Sequence, residues 1–185
     1  MVKNKGKLIE ESDFYPDGSL EEKTIYTYNN KGILVKDMRY WWGTTLIEKN
    51  LYDNKGNIVD EFFSFELGSP WVHTKYIYNN EGRLVEEWDY GVYGPPSLLY
   101  KHEYTYNNKG KLVEERVYNS NGTLYKKNVY DNKENLIEKN FYKLEGTLEC
   151  KREYKYDNQG NWIRYTYFNA DGTIGLITER KYEYS

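Results

Sequence analysis

The sequence predicts an all-β repeat protein, an antiparallel meander of about seven β-hairpin repeats of ~26 residues forming a twisted, curled sheet. Three observations carry that expectation. Turn-forming segments recur at a nearly fixed spacing, and aromatic and β-branched residues alternate between them. The heptad YTYNNKG also occurs twice, at residues 26–32 and 104–110, a separation of 78 residues or three steps of 26.

The turns come first. They read NKG (4–6), NNKG (29–32), DNKG (53–56), NNEG (79–82), NNKG (107–110), DNKE (131–134) and DNQG (157–160), with steps of 26, 24, 26, 28, 24 and 26 between their last residues. Asn-Asn-Lys-Gly suits a type I turn followed by a residue at positive φ, where glycine meets no Cβ clash. Asn or Asp at the head can accept hydrogen bonds from the turn backbone. Glu134 stands where the other units carry glycine, so a strained positive φ is expected there.

The strands follow from what flanks each turn. Before it lies Tyr-x-Tyr or Asn-x-Tyr, ending at Tyr28, Tyr52, Tyr78, Tyr106, Tyr130, Tyr156 and Tyr184. After it comes an apolar pair and then acidic residues, as in Leu84-Val85-Glu86-Glu87 and Leu112-Val113-Glu114-Glu115. A second turn bisects each unit, at Asp17-Gly18, Gly43, Gly68, Gly91 to Gly94, Asn121-Gly122, Gly146 and Asp171-Gly172. Each unit is therefore two strands, roughly 14 in all, and the connections are too short for parallel neighbours. Strand parity places Tyr100, His102 and Tyr104 on one face, with Lys101, Glu103 and Thr105 on the other. A mostly buried Tyr/Leu face and a solvated face of Lys/Glu pairs are expected, the sheet either open or closed into a barrel-like shell. The whole span 1–185 reads as a single β-hairpin repeat domain.

Composition bounds the function. The chain has 185 residues, with 22 tyrosines and 5 tryptophans, and a net charge of −3. The core must then use large rings whose hydroxyl or indole N–H groups need partners. Mixed charge without a basic excess argues against nucleic acid as a partner. No apolar run approaches membrane-spanning length, so no membrane insertion is expected, and MVKNKGKLIEE has no hydrophobic signal core. That fits a cytoplasmic protein, or an exported one whose signal has been removed. Cys150 is the only cysteine, which excludes an internal disulfide.

The pattern YxYNNxGxLVEE resembles the YD-repeat or RHS-repeat family, and Tyr154-Lys155-Tyr156-Asp157-Asn158-Gln159-Gly160-Asn161-Trp162 matches it most closely. Trp162 stands in place of the family's Leu, and Asn29, Asn79 and Asn107 in place of its Asp. The half-unit GxLxExxxY is similar also to MORN-variant repeats of bacterial proteins linked to toxin–antitoxin loci. Both resemblances imply hairpin sheets used for binding or scaffolding rather than catalysis.

Catalytic chemistry finds little footing. His73 and His102 sit at different strand parities, so a shared metal site is not expected and a structural role is. Cys150 has no nearby histidine and reads as a buried inert thiol. Glu86-Glu87 and Glu114-Glu115 point to opposite faces within each pair, so neither pair works as an acid–base couple across a cleft. GVYGPP lacks a helix that could hold an anion, and the turns lack the Asp-x-Asp-x-Asp-Gly calcium pattern. No catalytic residue, metal or cofactor is expected.

One irregularity stands above the repeat. The second turns of units two, three and four read as long and aromatic: YWWGTT (40–45), FSFELGSPW (63–71) and YGVYGPPS (90–97). In a meander they share one edge, neighbours about 10 Å apart, which would gather Trp41, Trp42, Trp71, Tyr90 and Tyr93. Such a rim suits a protein partner or a surface glycan. The alternative is that these loops fold back and cap the tyrosine face. The expected function is a non-catalytic binding or scaffold module. Its rivals are an accessory or immunity-like protein of a bacterial toxin system and, more remotely, a glycan-active enzyme.

Overall fold

The computed structural model describes residues 6–64, 72–91 and 97–184. The chain divides into two compact units, Met1–Ser97 and Leu98–Ser185. The first holds β1 (Glu10–Phe14), β2 (Leu20–Tyr28), β3 (Leu34–Trp41), β4 (Thr45–Tyr52), β5 (Ile58–Phe63), β6 (Val72–Tyr78) and β7 (Leu84–Gly91). The second is built from β8 (Ser97–Tyr106), β9 (Leu112–Asn119), β10 (Leu124–Tyr130), β11 (Leu136–Tyr142), β12 (Leu148–Tyr156), β13 (Trp162–Asn169) and β14 (Ile174–Glu179). Within each unit the strands pair in chain order, antiparallel, β1 through β7 in the first and β8 through β14 in the second. The all-β antiparallel meander of two-strand repeats is thus the observed fold within each unit.

The repeated turn works as its residues require. At Asn107 the backbone N–H donates to the Lys111 carbonyl (2.9 Å), and the Gly110 N–H donates to the Asn107 carbonyl (2.9 Å). Asn107 Oδ1 accepts from the N–H groups of Lys109 (2.9 Å) and Lys111 (3.1 Å), and Gly110 has φ 78. Glu134 adopts the same geometry, with φ 66 and its N–H donating to the Asp131 carbonyl at 3.0 Å. The repeat geometry therefore overrides a residue disfavoured there by about 1 kcal/mol. Its carboxylate reaches the neighbouring turn, accepting from the Leu112 N–H (3.4 Å) and lying 3.9 Å from Lys111 Nζ.

These turns also explain the untidy pair that follows them. Thr105 pairs with Glu114 and Tyr106 with Leu112, so Val113 is an extra residue on β9. This is the bulge that accompanies a type I turn closed by a positive-φ residue. It lets two adjacent apolar residues leave the turn without inverting the faces of the strand.

The expectation of a buried Tyr/Leu face is corrected. Among the described residues the buried apolar side chains are Ile47, Val117 and Cys150, and none falls below 2% exposure. More numerous are buried polar residues: Asp37, Asn50, Ser64, Thr74, Asn128, Asn140 and Thr166. Each unit is a single sheet, so the side chains that become buried are, Ser64 apart, strand residues enclosed by cross-strand neighbours. Half-buried tyrosines spend their hydroxyls on strand carboxylates: Tyr76 on Glu61 (2.6 Å), Tyr118 on Glu103 (3.0 Å), and Tyr52 on the buried Asp37. Burial and that carboxylate push the Tyr52 hydroxyl well above the ordinary phenol range. Two of the tyrosines before the turn have another task, donating to a carbonyl in the preceding repeat: Tyr28 to Leu8 and Tyr156 to Leu136, both at 2.8 Å. Lys/Glu pairs do form across strands, as at Arg39–Glu48 (2.7 Å) and Lys127–Glu114 (2.6 Å).

Candidate binding site

The segment YWWGTT is not a long loop. β3 runs to Trp41, β4 starts at Thr45, and the Thr44 N–H donates to the Trp41 carbonyl at 3.1 Å. Trp42 (φ 49) and Gly43 (φ 70) form the centre of a two-residue turn with positive φ at both positions. The twist of a hairpin favours this turn, but its first central place usually goes to Asn, Asp or Gly. A Cβ on Gly43 would come 2.7 Å from Leu20 Cδ2, a side-chain end that can shift, so it is the positive φ that calls for glycine here. Nothing comparable requires Trp42, a bulky residue in a conformation that costs it on the order of 1 kcal/mol or more.

The two tryptophans are held differently. Trp41 is half-buried, and its indole Nε1–H donates to Glu22 Oε1 at 2.9 Å. Trp42 is 53% exposed, with its backbone N–H anchored to the Glu21 carbonyl at 2.9 Å. Their ring centroids lie 6.2 Å apart with the planes tilted by 44°. Together with Tyr15, Glu21 and Glu22 they line a pocket of about 320 Å³. Glu22 keeps its second oxygen 4.0 Å from an Arg39 nitrogen, whose other terminal nitrogen is 2.7 Å from Glu48.

Of the five aromatic residues singled out in the sequence, the structure brings together Trp41 and Trp42. Trp71 and Tyr93 lie outside the described residues. Tyr90 belongs to β7 and stacks on His73 (5.2 Å), which stacks in turn on Phe62 (4.2 Å). It is half-buried along the strand, because β7 continues to Gly91. The sequence reading missed Tyr15, Glu21 and Glu22. Tyr15 opens the turn before Asp17-Gly18, on the same edge as Gly43 and two strands away, so its place was derivable. Glu22 follows from register, since it pairs with Trp41.

Several titratable residues outside this pocket have partners of their own. His73 Nε2 lies 2.8 Å from Asp60 Oδ1, and Cys150 is buried within β12. Glu115 meets His102 Nδ1 (3.1 Å) and accepts from Asn128 Nδ2 (2.6 Å) and the Tyr130 hydroxyl (3.2 Å). Led by the His102 hydrogen bond and opposed by burial, these partners hold its carboxyl down to about 2.

No protein-family model matches the chain, and no curated protein matches it. Solved structures do. A chain of the Photorhabdus luminescens Tc holotoxin pore carrying a TccC3 mutation superposes with a TM-score of 0.55 at 17% identity, over 92% of this chain and 9% of that one. A chain of the TcdB2–TccC3 complex gives a TM-score of 0.57 at 18% identity, over 92% and 10%. The TcdB2–TccC3–Cdc42 structure gives the same four values. This chain therefore spans about a tenth of each neighbour, and what it shares with these toxin-complex chains is the repeat fold.

Proposed function

We propose that this chain is a non-catalytic binding module of RHS/YD-like hairpin repeats that engages a protein partner of a toxin system through the Trp42 turn. The observation that carries the reading is Trp42 itself, a large ring at φ 49 with 53% of its surface exposed. Strain at an exposed turn, with little packing in return beyond the Trp41 ring, is what a contact residue shows. Tryptophan also heads the residues that dominate protein–protein affinity. Trp41, oriented by Glu22, gives the exposed ring a fixed neighbour. The toxin setting is supported by the Tc complexes among the fold neighbours and by the repeat motif of Tyr154 to Trp162.

The test is calorimetric titration of the purified chain against the toxin-complex chains of its own organism. Trp42→Ala should weaken binding by tenfold or more, the scale of a hot-spot aromatic. Unchanged affinity overturns this site. Binding on a glycan array that is lost with Trp42→Ala would replace the protein partner by a sugar.

A further inference from the structure

We infer that the Trp41–Trp42 pocket is a cation site, receiving a guanidinium or ammonium side chain from the partner protein. This deepens the binding reading above and rests on it. The lining is three aromatic rings and two glutamates, Tyr15, Trp41, Trp42, Glu21 and Glu22, with no lysine or arginine among them. Ring faces attract cations, tryptophan most strongly, and a carboxylate at the rim adds to the attraction.

The rest of the molecule shows how this chain treats its rings. Lys49 lies over Phe62 at 5.1 Å, and Lys75 over Tyr90 at 6.0 Å. In the second unit Arg152 covers Phe141 (4.8 Å), Lys151 covers Phe168 (4.8 Å) and Arg180 covers Trp162 (3.6 Å). Among the described residues no cation of the chain covers Trp41, Trp42 or Tyr15. The nearest charge that could neutralise Glu22 is Arg39, whose short contact is to Glu48 instead. The pocket thus has the composition of the chain's internal cation–ring contacts but lacks the cation. A neutral sugar would use the rings and leave the two carboxylates at the rim unused. A cationic side chain uses both.

The experiment follows the indole N–H resonances of Trp41 and Trp42 during titration with N-acetyl-arginine amide, N-acetyl-lysine amide and N-acetyl-citrulline amide. Citrulline keeps the shape of arginine without its charge. The arginine or lysine amide should bind about tenfold more tightly than citrulline amide. Trp42→Ala should abolish the effect and Trp42→Phe should retain it. Glu22→Gln, which can still accept the Trp41 N–H, should weaken it severalfold. Tetramethylammonium distinguishes a site for any compact cation, which it would saturate, from one requiring side-chain N–H groups. Equal binding of citrulline amide, or Trp42-dependent binding of a neutral oligosaccharide, overturns the inference. If the amides fail while the toxin chain still loses affinity with Trp42→Ala, the cation site fails and the binding module stands. If the toxin chain also ignores Trp42→Ala, both fail.

Discussion

The turns at Tyr40–Thr45 and Tyr118–Thr123 lie 78 residues apart, three repeats, with Tyr40 paired to Lys23 and Tyr118 to Lys101 in the same register. In the second unit the connection is Asn-Ser-Asn-Gly. Gly122 takes the positive φ (82), and Asn119 and Asn121 both accept from the Thr123 N–H, at 3.1 and 2.8 Å. In the first unit the connection is Trp-Trp-Gly-Thr, with Trp42 at φ 49 and its ring exposed. Beneath both turns the scaffold is the same: Asp37 with Asn50 and Tyr52, and Glu115 with Asn128 and Tyr130. The charges around it are not. Arg39 and Glu48 pair with each other beside Asp37, whereas the corresponding positions beside Glu115 hold Val117 and Lys126. The tyrosine–carboxylate–asparagine ladder is what the fold keeps, and the second unit shows that a tryptophan pair at the turn is not part of it.

The largest stability difference between the two regions should come from that ladder. Glu115→Ala leaves His102, Asn128 and Lys126 without their shared acceptor and should cost about 3 kcal/mol. Asp37→Ala, which loses neutral donors, should cost about half as much. The acid limb sharpens the point. A carboxyl held near 2 when folded, against an ordinary 4.5, contributes stability that is fully present above 4.5 and lost as pH falls through 2. Glu115→Gln should flatten the fall in urea midpoint across that window, and an unchanged limb would move the effect to other carboxyls.

A smaller effect separates the turns of units three and six, where Gly56 and Glu134 are equivalent. A Cβ at Gly56 (φ 88) meets nothing within 4 Å, so Gly56→Glu carries backbone strain alone and should cost about 1 kcal/mol. The smallest change is Glu134→Gly. Strain relief is offset by unfolded-chain entropy and by the lost reach to Leu112 and Lys111, leaving a gain of a few tenths of a kcal/mol. Paired urea melts of the two variants measure both.

Much of this was legible in the residues. Turn spacing gave the strands and their order, and the glycine column gave the positive φ at Glu134. What stayed hidden was set by neighbours rather than by pattern. The buried layer is polar because a one-sheet unit encloses mid-strand Asp37, Asn50 and Asn128 between adjacent strands. Alternation can report a face, but not whether anything covers it. YWWGTT read as a long loop because its turn residues are atypical, and only register shows Trp41 inside β3. Tyr90 was assigned to the rim by nearness to Gly91, whereas strand continuation carries it into the Phe62–His73 stack.

The central claim is that Trp42 serves contact and not the fold. A urea melt of Trp42→Asn tests it most directly, because Asn-Gly is the sequence this turn favours. Relief of the strained tryptophan, less its ring contact with Trp41, should leave the midpoint unchanged or raise stability by up to about 1 kcal/mol. A loss of about 3 kcal/mol or more, the scale of removing a packed aromatic, would instead make Trp42 a cap on the sheet and contradict the account.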